Sequence, residues 1–172
     1  MSGSNENRPD FWDFLCCMGK PEAALADWRR VVGHTAFEEF RSRYLLPTDR
    51  MAERIFCPKQ CNPDCRFMVV SDSIDGVREA VCLEWMESFP IQEADLAIYA
   101  LRGDAFFSAI AQVMKIKPDI TAMPDVDFSW QLGQVSRRPL IPVFGTLLGT
   151  TEKIAQLIAK LNSATLGRYV LL

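Results

Sequence analysis

The segment Cys57-Pro-Lys-Gln-Cys61-Asn-Pro-Asp-Cys65 places a thiol at every fourth position of a polar stretch, and Cys82 follows after sixteen intervening residues. Lys59, Gln60, Asn62 and Asp64 make this stretch too polar for a core strand, so buried thiols alone explain it poorly. Zinc takes four thiolate or imidazole ligands in a tetrahedron without directional preference, and closely spaced cysteines on a proline-containing loop can turn inward on one point. Residues 66–81 are long enough for two short strands and a turn, which returns Cys82 beside Cys65. The pattern predicts that Cys57, Cys61, Cys65 and Cys82 bind one structural zinc ion. A complete four-cysteine shell leaves no open position for catalysis. The spacing differs from the paired C-x₂-C knuckles of a zinc ribbon. Four cysteines also suit an iron–sulfur cluster, although the common cluster spacings are tighter.

Composition sets the context of this site. With 172 residues, 49% of them hydrophobic and 24% charged, the chain is expected to form one globular domain, or one domain with an appendage. A chain of this length buries roughly 70% of its unfolded surface, so it needs no metal merely to fold. The metal is expected to stabilise a local excursion or to display a surface. No leader-like apolar stretch opens the sequence and none is long enough to span a bilayer, which predicts cytoplasmic placement and disfavours disulfides. Cys16 and Cys17 read as buried helix thiols beside Leu15 and Met18. The net charge of −3 carries no basic excess of the kind polyanion binders show. Arg29, Arg30, Arg41 and Arg43, with Arg137 and Arg138, are the best candidates for nucleic-acid contact; their alternative is a solvated surface.

Residues 1–9 are expected to be disordered, and 10–53 to form a helical segment of three helices. In the second of these, Ala24, Leu25, Trp28, Val31 and Val32 share one face, and the third ends at Pro47. Residues 54–92 read as a zinc-binding β-hairpin. Residues 93–172 read as an α/β sheet region that forms one compact unit with 10–92. From residue 96 the order is β-α-β-β-α-β, which fits a ferredoxin-like sandwich; read from residue 104 onward, with an added strand near Ile120, it is α-β-β-β-α-β, the order of a restriction-endonuclease-like core. The fold class is α+β in either case. The sequence stops within an apolar strand, which suits a docked terminal strand and a segment of a longer protein equally well.

The run from Cys57 to Val81-Cys82, Ala94-Asp95-Leu96 with Tyr99, and Ser129-Trp130-Gln131-Leu132-Gly133 resembles a group of uncharacterised bacterial proteins. They share a cysteine-rich knuckle followed by an α/β segment. The resemblance covers roughly residues 55–172. It implies a metal site and no particular activity.

No catalytic constellation emerges. The single histidine, His34, follows Gly33 between two helices and reads as a linker residue. Gly145 and Gly149 precede a helix, but no Lys-Ser/Thr pair follows in the register of a phosphate loop. An endonuclease-like site could draw one acidic group from Asp125 or Asp127, yet Leu140 to Phe144 offers neither acid nor lysine. Trp85 and Met86, just past Cys82, suit either packing of the knuckle or a recognition surface. The sequence therefore points to a non-enzymatic, zinc-stabilised interaction protein with a macromolecular partner, a protein in preference to nucleic acid. The alternative is a DNA-associated, nuclease-like module, active or degenerate.

Overall fold

A computed structural model describes residues 10–57, 65–71, 78–82, 84–135, 140–147, 150–165 and 168–172, together with the backbone but not the side chains of Cys17 and Ser71. The expected disorder of 1–9 lies outside these residues. Six helices and three sheets are found among them, so the protein is α+β. The chain divides into two compact units, one of Met1–Phe11 and Glu22–Ala100, the other of Trp12–Pro21 and Leu101–Leu172. The expectation of a single unit is replaced by this division. The first helix, α1 (Phe11–Cys17), lies almost wholly in the second unit.

The first unit begins with strand β1 (Glu22–Ala24), then helices α2 (Leu25–Val32) and α3 (His34–Tyr44) and strand β2 (Leu45–Met51). Gly33 joins the two helices at φ 88° and ψ 148°, a conformation open essentially to glycine alone. Trp28 is fully buried on α2 and donates its Nε1–H to the carbonyl of Tyr99 at 3.0 Å. Helix α3 buries Phe37, and Phe40 lies against Trp28 and Tyr44. The segment 10–53 is thus not purely helical. Its two strands flank β7 (Ala97–Leu101) in a sheet of order β1-β7-β2. Neither Glu22–Ala24 nor Leu45–Met51 alternates apolar and polar residues; backbone pairing with β7 overrides local preference. Pro47 is accommodated because β2 is an edge strand, where a missing N–H can face away from the ladder.

Between β2 and β7 lies an antiparallel meander, β3 (Arg54–Phe56), β4 (Arg66–Ser71), β5 (Arg78–Cys82) and β6 (Glu87–Pro90), followed by the short helix α4 (Glu93–Leu96). The registers Ile55↔Phe67 and Met68↔Val81 set the faces of this sheet. With a side-chain period of two, Ile55, Cys57, Cys65, Phe67, Ala80 and Cys82 all fall on one side. All six are buried in a single apolar cluster with Ala24 and Leu96. Met68 and Val70 occupy the opposite, exposed face.

The second unit continues with α5 (Gly103–Val113), β8 (Lys117–Ala122), β9 (Ser129–Val135), β10 (Ile141–Thr146), α6 (Thr151–Thr165) and β11 (Val170–Leu171). Its sheet has the order β11-β10-β9-β8, antiparallel except for the parallel pair β10 and β11. Strand β7 belongs to the other sheet, so the expected β-α-β-β-α-β order does not describe this one. The order is α-β-β-β-α-β, with the extra strand at Ile120. Leu157 and Leu161 of α6 are buried with Phe144, and Phe107 of α5 meets Trp130 at 5.1 Å.

Candidate metal centre

The ends of three strands converge on one point. Cys57 directly follows β3, Cys65 directly precedes β4, and Cys82 ends β5. The N–H of Cys57 donates to the carbonyl of Cys65 at 3.1 Å. The three sulfurs lie within 4.8 Å of one another, and Sγ of Cys65 is 3.8 Å from Sγ of Cys82. Thiolates about 2.3 Å from one tetrahedral zinc ion stand about 3.8 Å apart, whereas a disulfide bond is only about 2.05 Å long. The three cysteines are 2%, 7% and 1% exposed, so a metal here would be shielded from solvent. The structure brings together Cys57, Cys65 and Cys82, a cluster able to bind a metal ion. Cys61 lies outside the described residues.

Charged and aromatic groups surround the cluster. Arg30 of α2 donates from Nη1 to the carbonyl of Cys57, and Arg66 donates from Nη1 to the carbonyl of Cys65 at 3.1 Å. Both guanidinium groups lie over the ring of Phe56, at 5.7 Å for Arg30 and 3.4 Å for Arg66. Asp27, only 5% exposed, accepts the backbone N–H of Phe56 at 2.9 Å through Oδ1. Burial pushes its carboxyl up to about 6, opposed by that hydrogen bond and by the nearby Arg30 and Arg66. Burial also lowers the pKa of Arg30, against the attraction of Asp27 and Cys57.

Sequence reasoning placed Arg30 in a basic patch and passed over Asp27, Phe56 and Arg66. The available signal was Asp27 itself, a carboxylate on the apolar face that Ala24, Trp28 and Val31 define. The basic patch is locally compensated. Arg29 pairs with Asp95 at 2.6 Å, Arg41 with Glu38 and Arg43 with Glu39. Arg137 and Arg138 lie outside the described residues. His34 is an exposed residue at the start of α3.

In the second unit, Asp125, Asp127, Lys153 and Lys160 line a pocket of about 230 Å³. Lys160 donates to the carbonyl of Pro124 at 2.9 Å and lies 3.4 Å from Asp125 Oδ2. This lysine meets the carboxylate from α6 and not from a neighbouring strand. Neither β9 nor β10 contains Asp, Glu or Lys.

No family model matches the chain, and comparisons with curated proteins and with solved structures find no significant match. No helix among the described residues is long and apolar enough to cross a membrane.

Proposed function

We propose that Cys57, Cys61, Cys65 and Cys82 hold one structural zinc ion and that the stapled sheet binds a protein partner without catalysing a reaction. The observation that carries this reading is the burial of Cys57, Cys65 and Cys82 with their sulfurs at distances suited to one tetrahedral ion. In an iron–sulfur cluster each thiolate caps a particular iron, which favours wider separation than a single shared ion requires. Cys61, midway between Cys57 and Cys65 in sequence, is the proposed fourth ligand. The cysteine-stapled hairpin is then the pair β4–β5, with its metal at the open end.

The metal end of the sheet is also where the β5–β6 turn projects. Trp85 and Met86 in this turn are 64% and 80% exposed, and Met86 has φ 51°, unusual for a side chain of its size. Large exposed apolar groups on a turn suit the centre of a protein interface, where Trp and Met are enriched. The net charge of −3 and the ion-paired arginines favour a protein over a polyanion.

The α-β-β-β-α-β order of the second unit supports a second reading, a restriction-endonuclease-like scaffold associated with DNA. The lack of acidic and lysine residues on β9 and β10 makes such a scaffold catalytically degenerate.

Elemental analysis of protein purified without added metal or a polyhistidine tag tests the central claim, with a visible spectrum of the same sample. One zinc per chain is the expected result. No metal in any preparation would overturn it, and a brown, iron-containing sample would replace zinc with iron. Salt-dependent retention on DNA would shift the partner from protein to nucleic acid.

A further inference from the structure

A divalent ion bound by three or four thiolates carries a net negative charge. Burying it away from water is costly unless positive charge and hydrogen-bond donors lie close by. At this centre two positively charged donors approach from different elements. Arg30 comes from α2 to the carbonyl of Cys57, and Arg66 from the head of β4 to the carbonyl of Cys65. Their guanidinium planes share the Phe56 ring, whose backbone is held by Asp27. Among the described residues, Nε of Arg30 is buried without a hydrogen-bond partner, a cost that attraction to a nearby negative centre would offset. Other arginines of this unit are arranged differently: Arg41 and Arg43 meet Glu38 and Glu39 on the exposed surface of α3.

From this arrangement we infer that Arg30 and Arg66 are positioning residues forming a two-cation clamp. It neutralises the buried thiolate centre, orients Cys57 and Cys65 through their carbonyls, and sets how tightly the metal is held. The inference rests on the proposed zinc site and adds a determinant of its affinity. Outer partners of metal ligands typically change affinity about ten- to hundred-fold when removed. The position of α2 places Arg30 on the carbonyl of Cys57.

The test is competition for zinc between a chromophoric chelator and the zinc-loaded full chain, read as affinity and as release half-time. The variants are Arg30→Met, Arg66→Met and Arg30→Lys, with Arg43→Met as a control for loss of a surface arginine. Arg30→Met and Arg66→Met should each weaken binding about ten- to hundred-fold and speed release, while Arg43→Met leaves both unchanged. Arg30→Lys, which keeps the charge but loses the planar fork, should restore much of the affinity. Should Arg30→Met fail to fold, Arg66→Met and Arg30→Lys still decide the matter. One zinc per wild-type chain with unaltered affinity in the arginine variants would overturn the clamp and leave the zinc site standing. A wild-type chain that takes up no zinc would overturn both.

Discussion

Asp27 Oδ1 accepts the N–H of Phe56 at 2.9 Å, so a buried carboxyl group on α2 holds the residue immediately before the first cysteine of the cluster. The folded-state pKa of Asp27 is about 6, against an ordinary value of 3.8. Between these values the folded protein holds a proton that the unfolded chain has released. Stability therefore falls as pH rises through this window. At about 1.4 kcal/mol per unit, the loss is on the order of 3 kcal/mol.

Asp27→Asn keeps an acceptor for Phe56 and removes the titration. Denaturant unfolding of both proteins at pH 4 and pH 7 should show the variant gaining about 3 kcal/mol on the wild type across that range. Metal loss at low pH is common to both and cancels in the comparison. A constant difference between them would contradict the assignment.

Cys82→Ser removes one sulfur from the buried cluster. Zinc content should drop well below one per chain, and the melting temperature should fall to that of wild type treated with a chelator. Structural zinc sites bind with apparent free energies of about 10–16 kcal/mol, so the shift should be large. If chelation leaves the wild-type melting temperature unmoved, the ion contributes nothing to this fold.

Trp85 and Met86 are predicted to serve recognition and not packing. The double change to alanine should alter unfolding free energy by no more than about 0.5 kcal/mol and leave zinc content intact. The same variant should lose a partner that wild type retains in affinity capture. A loss of several kcal/mol would assign both side chains to the fold.

Gly103 opens α5 against the indole of Trp130, and a Cβ at this position would meet Trp130 Cζ2 at 2.1 Å. Gly103→Ala should cost about 1–3 kcal/mol by overpacking, with a change in tryptophan emission as the ring is displaced. An unchanged melting temperature would mean that the helix start yields without disturbing the sheet.

Several elements were legible because they carry their own periodicity. The apolar face of α2, the strand pair Phe67–Val70 and Ala80–Val81, and the face of α6 through Leu157 and Leu161 follow from spacing alone. Strand β8 was not legible in this way. Its side chains are exposed except for the partly buried Ile120, it contains Pro118, and it forms through backbone hydrogen bonds to β9. The same holds for β1 and β2, whose partner β7 is more than forty residues away in sequence from either.

By itself the sequence determined that four cysteines bracket a hairpin-length segment and that the chain is α+β. Local chemistry is sufficient for those points, because thiol spacing, side-chain period and residue inventory are properties of the chain. Only the tertiary structure decided that Ala97–Leu101 joins the N-terminal strands, leaving a four-stranded sheet behind it. It alone brought Asp27, Arg30, Phe56 and Arg66 around Cys57 and Cys65. Strand partners and buried charges are chosen by long-range backbone pairing and desolvation, and neither leaves a period in the sequence.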